Sequence, residues 1–140
     1  MRKIIVSRPV LFLAGLIFVL LRDHSGLARM ALAASLLHES GHVMAYWGFT
    51  HRFPALQFSL SGIGLRFGGI RLPAHQRLWL AAAGPLTNLL VSSLLLIALG
   101  ARASYQGYFF ASTNLCVGIF NLLPFGSLDG RQILRAMREI

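Results

Sequence analysis

The chain is 140 residues long, with 56% hydrophobic and only 12% charged residues, and its mean hydropathy is +0.66. Soluble domains carry about 25% charged residues, so this composition cannot cover a water-facing surface and points to a bilayer instead. Disordered and disulfide-scaffold classes fall with the soluble one. The 13 Lys+Arg against 4 Asp+Glu give a net charge of +9. Those basic residues stand singly between apolar runs, as the orienting charges of a membrane protein do, and not on one solvated face as in nucleic-acid binders. No nucleic-acid partner is expected. The single cysteine, Cys116, excludes an intrachain disulfide and, within an apolar run, is expected to be a buried small hydrophobe.

Four apolar stretches follow in chain order. The first, Ile4 to Leu21, has a basic start and a break at Ser7-Arg8-Pro9. No small-residue cleavage site comes after it, so it reads as an uncleaved helix and not as a signal peptide. The second, Leu27 to Phe49, is long enough at 1.5 Å per residue to cross a hydrocarbon core of ~30 Å. Thr50 to Arg77 then changes character. Phe53, Leu56, Phe58, Leu60, Ile63 and Leu65 alternate with small or polar residues amid Gly62, Gly64, Gly68 and Gly69. Period-two alternation with glycines predicts a short β-hairpin or re-entrant ribbon over about 53–72, flanked by His51 and His75 as interfacial polar residues. The third and fourth stretches, Leu78 to Leu99 and Gly107 to Phe125, again have spanning length. Ile133, Leu134 and Met137 lie opposite Arg131, Arg135 and Arg138, which predicts a short amphipathic helix or the beginning of a further span.

The expected architecture is therefore an all-α polytopic membrane domain over 1–140, with about four transmembrane helices (4–21, 27–49, 78–99 and 107–125) and one ribbon. With four spans, ten basic residues share a side with both termini and the ribbon, and only Arg22, Arg29 and Arg102 lie opposite. The positive-inside rule then puts both termini in the cytoplasm.

Only four acidic residues exist: Asp23, Glu39, Asp129 and Glu139. Glu39 lies inside the second apolar stretch, between His38 and His42 in a His-Glu-Ser-Gly-His sequence. Ionisable groups at that depth are costly and mark functional sites. On a helix, residues four apart project from one face, so both imidazoles can reach one metal ion. Glu39 points about 100° away and can act as general base on a water beside that ion. A trio of this kind without a metal would leave a charge buried and unpaired. A catalytic zinc takes three protein ligands and keeps an open position. Asp129 is the remaining acid near a span end. The second and fourth spans run in the same direction, so His38, His42 and Asp129 all fall in cytoplasmic halves and can meet at one depth.

These residues, together with Ala83-Gly84-Pro85-Leu86-Thr87-Asn88 and Asn121-Leu122-Leu123-Pro124 leading to Leu128-Asp129-Gly130, resemble the site-2 proteases, polytopic intramembrane zinc metalloproteases. The three motifs, in order, cover about Leu27 to Gly130. The nearest likeness is to the compact sporulation-type members that lack a PDZ domain and process a membrane-tethered sigma-factor precursor. The resemblance implies one zinc ion held by His38, His42 and Asp129, with Glu39 as general base. It implies that Asn121 lies near the scissile peptide as an oxyanion donor or a substrate-backbone contact, a role that stays open beside interhelical hydrogen bonding. Gly84 and Asn88 would pack against or polarise the neighbouring helix, close packing being the simpler role for Gly84. Pro124 should break the fourth helix ahead of Asp129, and the ribbon could pair with an unwound substrate segment.

Only ten residues follow Gly130, so no nucleotide-sensing domain is expected, and the chain is either a minimal enzyme or part of a longer protein. The expected activity is hydrolysis of a peptide bond in a membrane-embedded or membrane-tethered protein by a zinc-activated water. The imidazoles would be neutral and Asp129 ionised. The expected partners are a membrane-protein substrate and the lipid bilayer, with any membrane regulator unidentified. The alternatives are a catalytically silent membrane adaptor, which an intact Glu39 disfavours, and a zinc transporter, which would need polar ligands continuing to the opposite face.

Overall fold

Long apolar runs free of internal glycine pairs favour helix, which satisfies its own N–H and C=O groups within one segment. The computed structural model describes residues 9–59, 62–66 and 71–140. Five helices and one two-stranded sheet follow in order: α1 Pro9–Arg22, α2 Leu27–Thr50, β1 Ala55–Ser59, β2 Gly62–Arg66, α3 Ala74–Leu99, α4 Tyr105–Asn121 and α5 Asp129–Met137. The strands pair antiparallel, with Ala55 opposite Arg66 and Ser59 opposite Gly62. The alternation-based ribbon is thus present as a pair of strands, its parts at 60–61 and 67–70 lying outside the described residues.

The helix α3 is central and packs against α2, α4 and α5, whereas α1 meets α2 and β1 only lightly. What these helices bury is unlike a soluble core. Asn88 and Asn114 are 0% exposed and Ser92 1%, alongside Ala34, Ala81 and Ala111. Large apolar side chains such as Leu90, Leu94, Ile97 and Phe120 face outward. Small residues let the backbones approach, and polar side chains bond across them: Ser92 Oγ donates to Ala111 O at 2.9 Å. A Cβ on Gly41 would stand 2.6 Å from Ala83 O, so α2 and α3 touch backbone to backbone there. Cys116 departs from expectation. It lies exposed on the outer face of α4, because apolar residues in such a bundle turn outward.

Of the four stretches expected to span, α3 alone among the described residues has both the length and the apolarity to cross a membrane. At 24 residues, about 36 Å, α2 has the length, but its polar trio lowers its apolarity. The described part of α1, 14 residues, and α4, 17 residues, reach about 21 and 26 Å. The fourth stretch ends at Asn121 and not at Phe125. Pro124 cannot continue a helix and disfavours helical backbone in the residue before it. Turns at Leu122 and Leu123, donating to Ile119 O and Phe120 O, close α4.

The amphipathic tail is realised as α5, with Asp129, Gly130 and Ala136 buried and its arginines exposed. Arg77 at the start of α3 pairs with Glu139 just past α5, and this hydrogen bond from the guanidinium holds the Glu139 carboxyl below its ordinary range.

The turn from α1 to α2 is closed by Asp23. Its Oδ2 accepts the backbone N–H of Arg29 at 3.0 Å, and its Oδ1 accepts Ser25 Oγ–H at 2.9 Å, while Ser25 Oγ in turn accepts Leu27 N–H at 3.3 Å, so two orphan donors of the first turn of α2 are satisfied. The Arg29 N–H above all, opposed by burial and helped by Ser25 and Gly26, lowers the Asp23 pKa. A carboxyl whose folded pKa is depressed stabilises the fold above its unfolded value and loses that contribution as pH falls through the folded one. Asp23→Ala is accordingly expected to lower the thermal midpoint at pH 7, with the gap to wild type closing as the pH is taken below about 4. A gap independent of pH would show that the carboxylate charge plays no part.

Candidate metal centre

His38 and His42 are both buried, on one face of α2, and α3 shapes the space around them. His42 Nδ1 lies 2.8 Å from Leu80 O, and His38 Nδ1 lies 2.7 Å from Asn88 Oδ1. Both partners are acceptors only, so each Nδ1 must carry the hydrogen and donate. In a neutral ring that leaves Nε2 bare. The two Nε2 atoms lie 3.2 Å apart, and Asp129 Oδ2 stands 2.9 Å from His38 Nε2 and 3.3 Å from His42 Nε2.

Three lone-pair atoms so close repel one another unless a metal ion, or a proton on one Nε2, lies between them. Ligands about 2.0–2.1 Å from a tetrahedral ion stand about 3.3 Å from each other, close to the spacing seen. The donor set of two imidazoles and one carboxylate is also one that zinc accepts. His38, His42 and Asp129 form the single group among the described residues that could hold a metal ion. The residues fit the group.

Each neighbour of this triangle has a packing reason. Gly84 is buried on α3, and a Cβ there would meet His42 Nε2 and come within 2.7 Å of His38 Nε2, so only glycine leaves room for the rings. Asp129 opens α5, where a carboxylate is favoured by the helix dipole. Its Oδ2 is directed to the imidazoles. The first turn of α5 is pressed onto the end of α4, since a Cβ on Gly130 would meet Leu122 O and stand 2.7 Å from Leu123 O. The end of the helix ahead of Pro124 therefore lets the chain bring Asp129 back to the α2 histidines.

The other expected residues take up varied positions. Glu39 is half-buried beside His38 and, among the described residues, its carboxylate has no hydrogen-bond partner. Asn121 is half-buried and its Nδ2 donates to Val117 O of its own helix at 2.9 Å. His51, in a left-handed conformation with φ 51°, ends α2, and His75 is exposed at the start of α3. Sequence reasoning gave Asn114 no role, yet its Oδ1 accepts Asn88 Nδ2–H at 2.9 Å. The signal available was a carboxamide inside an apolar stretch, seven residues before Asn121 and so on the same helical face.

Residues 98–140 match the model of peptidase family M50. The chain is 31% identical over 120 residues to Rip3 of Mycobacterium tuberculosis, a protein named as a zinc metalloprotease, in each of two strains. That match covers 80% of this chain and 30% of the relative, so the chain spans under a third of the length of the curated relatives. Among solved structures, the site-2 protease from Methanocaldococcus jannaschii superposes with a TM-score of 0.70 at 26% identity, covering 92% of this chain and 63% of that one.

Proposed function

We propose, on the likeness to peptidase family M50, to Rip3 and to the Methanocaldococcus jannaschii site-2 protease, that this chain is the zinc metalloendopeptidase domain of an intramembrane protease of the site-2 type. It hydrolyses a peptide bond of a membrane-embedded or membrane-tethered protein. The observation that carries this reading is the triangle of His38 Nε2, His42 Nε2 and Asp129 Oδ2, at 2.9–3.3 Å with both Nδ1 atoms already engaged. In this reading α1 to α4 are four spans of a single membrane-embedded domain. The ten-to-three distribution of basic residues supports both termini in the cytoplasm of a multi-pass cell-membrane protein.

His38, His42 and Asp129 hold one zinc ion, which, when bound, supplies a Lewis acid for water and for the scissile carbonyl. Asn88 and Leu80 O hold the imidazoles in the orientation that presents Nε2, as outer-shell partners of metal-binding histidines do. Glu39 stands next to His38 on α2, half-buried, and is not needed as a ligand. It accepts the proton of the attacking water and returns it to the leaving amine. Asn121 contributes, from the end of α4, a carboxamide that contacts the substrate backbone. The bundle supplies a surrounding that excludes bulk water, which strengthens each of these electrostatic contacts.

Stripping the purified chain with a chelator is expected to abolish cleavage of a single-pass membrane substrate, and added zinc to restore it. Undiminished cleavage by chain shown to be metal-free would overturn the reading.

A further inference from the structure

Four polar side chains form one unbroken line through the bundle, from α4 across α3 to the metal triangle, and its far end is unassigned. We infer that Asn114 is a positioning residue that, through Asn88, fixes the tautomer of His38 and so keeps His38 Nε2 bare for the metal. This rests on the metalloprotease reading and deepens it.

The directions along the line are determined one by one. Asn114 Nδ2 donates to Phe110 O of its own helix at 2.9 Å, which turns its Oδ1 toward α3. That oxygen accepts one N–H of Asn88 at 2.9 Å, and Ala34 O on α2 accepts the other at 3.0 Å. With both N–H groups of Asn88 committed, its Oδ1 can only face His38, 2.7 Å from Nδ1. An oxygen there demands a hydrogen on Nδ1, and in a neutral ring Nε2 is then left with its lone pair. Were the Asn88 amide turned over, its NH2 would face His38 Nδ1, the hydrogen would move to Nε2, and that nitrogen could no longer ligate. Both asparagines are 0% exposed, so no water substitutes for a missing partner. Asn114 is the member of the line that rejects the turned amide from the α4 side: the turned Asn88 would set its oxygen against Asn114 Oδ1.

The test is zinc affinity of the full chain in detergent micelles, by competition with a chromophoric chelator, for wild type, Asn114→Leu and Asn114→Asp. Leu removes the acceptor at similar size, while Asp keeps an oxygen facing Asn88. The expected result is weaker zinc binding by about 10–100-fold in Asn114→Leu, the usual cost of losing an outer-shell partner, with Asn114→Asp closer to wild type. A packing role alone would lower the thermal midpoint of the zinc-free chain and leave the zinc affinity of the folded protein unchanged. Equal zinc affinity in wild type and Asn114→Leu therefore overturns the inference. Wild type that takes up no zinc overturns the metalloprotease reading itself. Should Asn114→Leu not fold, Asn114→Ser replaces it with the same expected ordering, since a serine hydroxyl bonds its own helix and stops short of Asn88.

Discussion

Glu39→Gln is expected to lower cleavage of a transmembrane substrate by about 10²–10⁴-fold, the range associated with loss of a general base, while zinc per chain stays at the wild-type level. The substitution keeps the size and outline of the side chain while removing its negative charge and basicity, one acceptor oxygen becoming an NH2 donor. Glu39 projects about 100° from His38 around α2, and the three metal-facing atoms come from His38, His42 and Asp129. Metal retention and turnover should therefore separate. Turnover is measured with a purified single-pass substrate and zinc by elemental analysis of the same sample. Undiminished turnover would remove Glu39 from the chemistry. Parallel loss of zinc would instead make it a ligand.

That separation could be anticipated from the sequence because helical spacing alone assigns faces. His38 and His42 had to share one, and Glu39 had to lie off it. Asp129 was legible for a different reason: counting alternating directions puts the ends of α2 and α4 at one level, and few other acids exist. The route by which Asp129 arrives was only half legible. Apolarity runs on through Leu122, Leu123 and Phe125, so hydropathy extends the fourth helix to Phe125, whereas the α-helix ends at Asn121 and gives way to turns at Leu122 and Leu123 ahead of Pro124. The strand pair was readable from its glycines and its period of two.

Asn114 and Cys116 escaped for a common physical reason. In water-soluble proteins burial sorts residues by polarity, with apolar side chains inside. This bundle buries Asn88, Asn114 and Ser92 and turns leucines and Cys116 outward. Where composition points to a bilayer, polarity alone should therefore no longer decide which residues are placed inside. A lone carboxamide in an apolar run becomes a candidate for the interior, and a lone thiol a candidate for the outer face.

The same inversion makes glycine the most consequential small residue near the site, and Gly84→Ala is expected to release the metal. Its added methyl group would stand 2.7 Å from both His38 Nε2 and His42 Cε1, and closer still to His42 Nε2. The rings can yield only by rotating away from Asn88 Oδ1 and Leu80 O. The helices can yield only by separating, which lengthens those same two bonds, since both run from α2 to α3. Overpacking alone costs about 1–3 kcal/mol, and displacement of both imidazoles adds a loss of zinc affinity of at least the 10–100-fold typical of outer-shell damage. Gly48→Ala, on the same α2 but with nothing within 4 Å of its added carbon, is the control. It should keep its zinc and gain up to about 1 kcal/mol from the better helix former. Zinc affinity and thermal midpoint measured on both variants decide the matter: if Gly84→Ala binds zinc as Gly48→Ala does, the imidazoles are not held against α3 in the way their Nδ1 bonds require.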